Sequence, residues 1–310
     1  MRIGAHISMA QGPLAALAYA RDVGCECVQV FAKSPRRWVG KTPDVEASRA
    51  FAQHRAEYGV HAVFTHTAYL INLAAVEPDA RSRSIKALAD EIDRARLLAA
   101  DAVITHLGTD PYGDRGSAAS RIASAIEAAF AEASVEADRA RTPRLLLENT
   151  AGAGGTYGRD VADLAAVFSA ASPEVRPLLG VCIDTCHAHV AGIDVSSPDA
   201  WRALVAAVES GCGEGVIRAL HANDAMYPFG SKRDRHAWIG DGTIGYQGFS
   251  AMLGAPLDED VCILTEMPGE VPIKDMENIG RLKRLRTDAK GAPSGSAKLD
   301  GCPHTRVPLA

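Results

Sequence analysis

Eight short apolar runs divide this chain at regular intervals and constrain its fold more than any other feature of the sequence. They alternate with alanine-rich segments in which apolar residues recur at helical spacing, such as Pro13–Val23, Ile85–Ala99, Ile122–Ala137, Val161–Ala170 and Trp201–Val208. Eight strand-helix repeats in 310 residues predict a single (β/α)8 barrel rather than an open sheet. The strand-like runs are Ile3–Ser8, Cys27–Ala32, Ala62–Thr67, Ala102–Gly108, Leu145–Thr150, Val181–His187, Ile217–Asp224 and Val261–Pro268.

The composition and the ends of the chain favour a soluble intracellular protein. No apolar run is long enough to span a membrane, and the N-terminal segment Arg2–Ala5 lacks the apolar stretch of a signal peptide. The seven cysteines form no paired C-x-x-C motif, which indicates reduced thiols and argues against a cysteine zinc site. We therefore expect a cytoplasmic protein without a membrane partner, and we expect a monomer. The barrel should occupy residues 1–287, while residues 288–310, rich in Gly, Pro and Ser, should form a flexible tail.

Titratable side chains close six consecutive runs, from the third to the eighth. The parallel strands of a barrel end on one face, where the catalytic groups of such barrels lie. An Asp and a His at a single strand end more often cap the next helix, and Asp184 and His187 taken alone would be interpreted in that way. Matched positions on six strands are difficult to explain as separate accidents, so we expect one shared site. The residues concerned are His66, His106, Glu148, Asp184, His187, His221 and Glu266.

The loop Met226–Gly245, after the seventh run, adds Asp234 and His236. Side chains two residues apart in an extended segment point the same way and can bind one ion together. The complete set is then five imidazoles and four carboxylates, which is more than one tetrahedral ion can use. The mixture of nitrogen and oxygen ligands favours Zn²⁺ or Mn²⁺ over Ca²⁺ or Mg²⁺. The sequence therefore predicts a site with several metal ions at the C-terminal face of the barrel.

Five local motifs together resemble those of the endonuclease IV family of apurinic/apyrimidinic (AP) endonucleases, which are zinc-dependent TIM barrels. The resemblance runs from Ile3 to Gly269. It implies cleavage of double-stranded DNA at the phosphodiester 5′ to an abasic site, leaving a 3′-hydroxyl and a 5′-deoxyribose phosphate. The motifs are Tyr69-Leu70-Ile71-Asn72-Leu73, Glu148-Asn149-Thr150-Ala151-Gly152, Asp184-Thr185-Cys186-His187, His221-x-Asn223-Asp224 and Asp234-Arg235-His236.

The same resemblance implies three zinc ions, for which Mn²⁺ could substitute. A hydroxide held between the first two ions, whose ligands include Glu148 and Glu266, would be the nucleophile, and the third ion would stabilise the departing 3′-oxygen. The implied ligand sets are His66, His106 and Glu148 for the first ion, Glu148, Asp184, His221 and Glu266 for the second, and His187, Asp234 and His236 for the third.

A cationic loop after the second run is the main candidate for DNA contact. Residues 33–38 contain three cations and one aromatic ring, and in the family the corresponding loop enters the minor groove. The alternative is a solvated loop in which Trp38 is a packing anchor. Tyr69 and Asn72 resemble residues that line the flipped-out abasic sugar, although Tyr69 could equally pack at the barrel rim. The candidate DNA-binding residues are Lys33, Arg36, Arg37, Trp38, Tyr69, Asn72 and Arg235.

The net charge of −5 and the pI near 6.1 do not by themselves indicate a nucleic-acid binder. Three Zn²⁺ would add +6 to the −5, giving about +1, so a metal-loaded form need not repel DNA. The main alternative is a metal-dependent sugar isomerase or epimerase of the same barrel superfamily, which needs one or two metals and has no use for the Asp234–His236 pair. A non-catalytic binder of damaged DNA ranks third, because all nine ligands are present.

Overall fold

Eight parallel strands close into a barrel in the computed structural model, which describes residues 1–110, 112–133, 142–267 and 272–291. A short antiparallel hairpin of β8 (Asp224–Ala225) and β9 (His236–Ala237) follows the seventh barrel strand. The barrel strands are β1 (Arg2–Ile7), β2 (Cys27–Val30), β3 (Ala62–His66), β4 (Ala102–His106), β5 (Arg144–Glu148), β6 (Leu179–Asp184), β7 (Ile217–His221) and β10 (Cys262–Thr265). Their order around the ring is β1-β10-β7-β6-β5-β4-β3-β2, which confirms the predicted TIM barrel.

Helices cover the outside of the ring, and side chains cap the first turns of several of them. Side-chain oxygens of Asp44, Asp160 and Ser197 accept backbone N–H groups at the start of three of them, which satisfies donors that have no partner within the helix. None of the described helices combines the length and apolarity needed to cross a membrane. The helices are α1 (Pro13–Asp22), α2 (Val45–His54), α3 (Pro78–Leu97), α4 (Arg115–Glu132), α5 (Val161–Ala170), α6 (Thr185–Ala191), α7 (Pro198–Cys212), α8 (Gly245–Leu253) and α9 (Pro272–Gly291).

Several predicted boundaries differ from the observed ones. The run Val181–His187 is not one strand, because β6 ends at Asp184 and His187 lies in α6. The tail does not begin at residue 288, because α9 continues to Gly291 and packs Leu285 and Ala289 against the core. The rest of the predicted tail, residues 292–310, lies outside the described residues, as do the predicted helix end at 134–137 and the end of the last run at 268.

The barrel interior is filled by every second residue of the strands. On β3, Ala62 and Phe64 point inward, whereas Val63 belongs to the separate core between strands and helices. Three free cysteines line the interior. The interior set is Cys27, Ala62, Phe64, Ala102, Ile104, Leu146, Cys182, Ala219, Cys262 and Leu264. This alternation decides which side chain each strand presents at its C-terminal end.

Candidate metal centre

The six strand-end side chains predicted from the sequence form the top layer of the barrel interior. Each of them stands two residues after a buried interior residue, as His66 does after Phe64 and Glu148 does after Leu146. Because side chains repeat every two residues in a strand, they continue the interior stripe to the C-terminal face. The layer comprises His66, His106, Glu148, Asp184, His221 and Glu266.

Glu148, at the end of β5, is shared between two groups of side chains. Its Oε2 lies 3.0 Å from His66 Nε2 and 3.6 Å from His106 Nε2. Its Oε1 lies 2.9 Å from His221 Nδ1. One oxygen of Glu148 therefore faces a first group, which it forms with His66 and His106. The other oxygen faces His221, which belongs to a second group, and this is the arrangement of a bridging ligand.

The second group contains three carboxylates around one imidazole. His221 Nδ1 lies 3.3 Å from Glu266 Oε2 and 3.9 Å from Asp184 Oδ2, in addition to its contact with Glu148. Ligand atoms of all four residues lie within 4.8 Å of one another. Such a concentration of buried carboxylates requires compensating positive charge, from protons or from a cation.

The third group joins the start of α6 to the loop after β7. Asp234 Oδ2 lies 3.2 Å from His187 Nε2, and Asp234 Oδ1 lies 3.3 Å from His236 Nε2. Ligand atoms of His187, Asp234 and His236 thus lie within 4.8 Å of one another. Cys186 also lies beside this group, but its thiol faces the backbone carbonyl of Arg235 and burial raises the pKa of the thiol.

Asp184 is both a helix cap and a member of the site. Its Oδ1 accepts the backbone N–H of His187 at 2.8 Å and so begins α6. Its Oδ2 accepts from Asn223 Nδ2 at 2.7 Å and faces His221. Asp184 therefore caps α6 with one carboxylate oxygen and faces the other side chains of the site with the second. The cap also fixes His187 one helical turn away, at the third group.

Backbone carbonyls orient three of the imidazoles. His66, His187 and His236 each place Nδ1 at hydrogen-bond distance from a carbonyl oxygen, at 2.9, 3.0 and 2.8 Å respectively. Because a carbonyl only accepts, Nδ1 carries the proton and Nε2 is left facing the carboxylates. Orientation of this kind is typical of histidines that bind metal ions.

The electrostatics of the centre are dominated by its carboxylates. Although burial opposes it, the carboxylates of Asp184 and Asp234 raise the pKa of His187 to about 10. Against the same opposition, Asp234 and Asp184 raise the pKa of His236 to about 9. Burial instead lowers the pKa of His106 to about 4. Without a cation, the site would thus hold protons that a metal ion could replace.

The donor set fits several divalent cations. Among the described residues, His106 Nδ1 and His236 Nε2 are buried nitrogens that have no hydrogen-bond partner. Buried polar atoms are normally satisfied, so His236 Nε2, which faces Asp234, is suited to a ligand. Neutral imidazoles with carboxylates are the preferred surroundings of Zn²⁺.

Three amides, to which the sequence analysis assigned no role, hold the carboxylates in place. Asn149 exchanges hydrogen bonds with the backbone of Asp184 at 2.7 and 3.1 Å. Asn223 donates to Asp184 and to Glu266, and its Oδ1 accepts the N–H of Glu266. Gln29, fully buried on β2, contacts Glu266 and His221. Counting in steps of two from the interior residue Cys27 would have placed Gln29 in this layer.

Lys33, a predicted DNA contact, is buried rather than exposed. Its ammonium group is buried against α3, where Nζ donates to Asp90 Oδ2 at 2.7 Å and lies 3.6 Å from Glu91 Oε1. It also donates to the carbonyl oxygens of Trp38 and Ala87. A charge run in the sequence does not reveal which of its members finds a buried carboxylate, and here Lys33 anchors the loop instead.

Trp38 and Asn72 also have structural contacts. Trp38 is half-buried, packs against the hydrophobic core and lies 5.6 Å from the guanidinium carbon of Arg83, as the packing alternative proposed. The Asn72 amide accepts the backbone N–H groups of Ala74 and Thr109 and donates to the carbonyl of Thr109. Asn72 thus joins the loop after β3 to the loop after β4.

The remaining candidates for DNA contact are exposed on the C-terminal face. Arg36 and Arg37 follow β2, and Arg235 follows β7. Tyr69 is 64% exposed, and its ring packs edge to face against Phe31, with the ring centroids 5.6 Å apart. The backbone N–H of Tyr69 donates to the carbonyl of Pro35, so the cationic loop and the Tyr69 loop are connected.

Comparisons with known proteins agree with this geometry. Residues 17–285 match a family model described as a xylose isomerase-like TIM barrel. A relative from Chloroflexus aggregans, called probable endonuclease 4, is 36% identical over 92% of this chain and 97% of its own length. The crystal structure of endonuclease IV from Thermus thermophilus has a TM-score of 0.78 at 30% identity, with 93% of this chain and 100% of that chain covered. A D-tagatose 3-epimerase-like protein shares the fold at 17% identity, with a TM-score of 0.69 and coverage of 94% and 100%.

Proposed function

Because the chain belongs to the endonuclease IV family of xylose isomerase-like TIM barrels and is a deoxyribonuclease IV-type hydrolase, we propose that it cleaves DNA at abasic sites with three zinc ions. The bond cut is the phosphodiester 5′ to the lesion, and the products carry a 3′-hydroxyl and a 5′-deoxyribose phosphate. This activity belongs to DNA repair, and the substrate is double-stranded DNA in the cytoplasm.

One observation carries the proposal: nine imidazole and carboxylate side chains converge in three groups, two of which share Glu148. An isomerase with one or two metals has no need of the third group, which Asp234 and His236 of the β7 loop complete with His187. His236 Nε2 is buried without a hydrogen bond and lies 3.3 Å from Asp234 Oδ1, which supports a ligand at this third position.

Each group has a distinct set of ligands for one zinc ion. Zinc ions bound by these side chains supply Lewis acidity toward a phosphodiester. Glu148 holds the first two groups in fixed relation, and Asp184 connects the second group to the third through the cap of α6. The sets are His66, His106 and Glu148; Glu148, Asp184, His221 and Glu266; and His187, Asp234 and His236.

The rim of the face provides the DNA contacts. Arg36, Arg37 and Arg235 are exposed cations suited to phosphate oxygens, which dominate affinity for a duplex. Tyr69 offers an exposed ring close to His66, with ring centroids 6.2 Å apart, and packs against the sugar of the extruded abasic nucleotide.

The test is a nicking assay on a duplex that contains one tetrahydrofuran abasic analogue, combined with metal analysis. The purified protein should contain about three zinc ions per chain and cut the strand 5′ to the analogue, and a chelator should abolish the cut. An intact duplex of the same sequence should remain uncut. Glu148→Ala should lose nicking and zinc while retaining some affinity for DNA, because the rim cations are unchanged.

Glu259→Gln is the matched control, since Glu259 is exposed in the loop before β10 and outside the three groups. It should nick at the wild-type rate. One ion per chain, no nicking, and turnover of a ketose would overturn the proposal in favour of a sugar isomerase or epimerase.

A further inference from the structure

Gln29 connects three other side chains at the top of the barrel. Its Nε2 lies 2.6 Å from Glu266 Oε1 and 2.8 Å from His6 Nδ1. Its Oε1 lies 2.7 Å from His221 Nε2. Gln29 and His221 are both fully buried, so water does not compete for these hydrogen bonds.

Only one orientation of the Gln29 amide satisfies all three partners. The Glu266 carboxylate is an acceptor, and reversing the amide would bring two acceptor oxygens to 2.6 Å. The amide nitrogen therefore faces Glu266 and donates its two hydrogens to Glu266 and to His6. The amide oxygen must then face His221, where it only accepts.

This orientation determines where His221 carries its proton. Nε2 donates to Gln29 Oε1, so in the neutral ring the lone pair is on Nδ1. Nδ1 faces Glu148 Oε1 at 2.9 Å and Glu266 Oε2 at 3.3 Å. Gln29 thus orients the Nδ1 lone pair of His221 toward the second group. It also holds Glu266 beside that atom.

His221 differs from three other histidines of the centre. Backbone carbonyls orient His66, His187 and His236, and no substitution can remove a carbonyl. A side chain orients His221, so this hydrogen bond can be deleted by replacing Gln29, which is not a member of the three groups. Deleting such an orienting bond typically weakens metal affinity by about 10- to 100-fold.

We propose that Gln29 is a positioning residue that fixes the Nε2–H form of His221 and the position of Glu266, so that both present lone pairs to the same zinc ion. The inference rests on the proposed function, because it assumes that the second group binds zinc. It adds a residue that contacts neither the ion nor the DNA.

The test compares the wild type, Gln29→Leu, and the matched control Gln53→Leu, in which an exposed glutamine of α2 is replaced. Each protein is loaded with zinc and titrated with a chelator, and the zinc retained is counted. Proteins labelled with ¹⁵N-histidine report the imidazole N–H signals. Gln29→Leu should release one ion at roughly 10- to 100-fold lower chelator concentration and lose the exchange-protected Nε2–H signal of His221, whereas Gln53→Leu should match the wild type.

Gln29→Ala removes the same hydrogen bonds with a smaller side chain and is the second variant if Gln29→Leu does not fold. A variant that keeps wild-type zinc affinity and a protected His221 signal would overturn the role of Gln29. Failure of the wild type itself to bind zinc or to nick abasic DNA would instead overturn the proposed function. The two failures are therefore separated within one set of samples.

Discussion

The buried carboxyl of Glu91 should make the stability of this protein depend on pH in a way that one substitution removes. Glu91 lies on α3 beneath the cationic loop, where Oε1 accepts the backbone N–H of Ala68 at 3.2 Å and lies 3.6 Å from Lys33 Nζ. Its Oε2 is buried and has no hydrogen-bond partner among the described residues. Burial raises the pKa of Glu91 from 4.5 to about 7, and Lys33 only partly opposes this.

The direction in which stability changes with pH follows from proton binding. Between pH 4.5 and about 7 the unfolded chain ionises Glu91 while the folded protein keeps it protonated, so rising pH favours unfolding. A pKa raised from 4.5 to about 7 corresponds to about 3 kcal/mol, most of which falls between about pH 5 and about pH 8. The Glu91→Gln variant has a neutral side chain at this position at every pH. Its free energy of unfolding therefore lacks this decrease with rising pH. Relative to the wild type, its free energy of unfolding should therefore rise by about 2 to 3 kcal/mol across that range.

The measurement is urea denaturation of both proteins at about pH 5 and about pH 8, with equal m-values as the check that the transitions are comparable. Taking the difference between two proteins cancels the titration of groups they share, including those of the metal centre. The exposed Glu259→Gln variant should follow the wild type at both pH values. A difference between Glu91→Gln and the wild type that is unchanged with pH would refute the reasoning, because it would mean that Lys33 keeps Glu91 ionised.

Three further outcomes test the division between buried and exposed charges. Lys33→Met should lower the free energy of unfolding by roughly 2 kcal/mol in denaturant titrations, because it removes a buried cation with hydrogen bonds to carboxylate and carbonyl oxygens. Arg36→Ala should change stability by less than about 0.5 kcal/mol but raise KM for abasic DNA and reduce the slope of log affinity against log salt by about 1, measured by fluorescence anisotropy. Asp234→Asn should lower the zinc content from about three ions to about two without changing the circular dichroism spectrum. The reason is that Asp234 lies in the loop after β7 and belongs to the third group alone. Full zinc content in this variant would contradict the assignment.

The sequence pattern alone was sufficient to predict the ring and the layer of titratable side chains at its C-terminal face, for a geometric reason. Strand period and barrel closure are local and repetitive, so a His or Glu two residues after an interior residue must emerge on the same face. The positions of His66, Glu148 and Glu266 at this face can therefore be predicted from the sequence of each strand separately. The helix cap of Asp184 was readable as well, since capping depends on residues three positions apart.

Contacts between distant segments could not be read in this way. Lys33 belongs to a run of cations in the sequence, but Asp90 and Glu91 on α3 remove it from solvent. Gln29 is one polar residue within an apolar strand, and only barrel closure brings it against His221, 192 positions away. The sequence by itself determined the barrel and the side chains at its C-terminal face, because these follow from periodicity. The tertiary structure alone decided which charges are buried and which atom of each titratable side chain faces the centre, because both depend on partners supplied by other strands and helices.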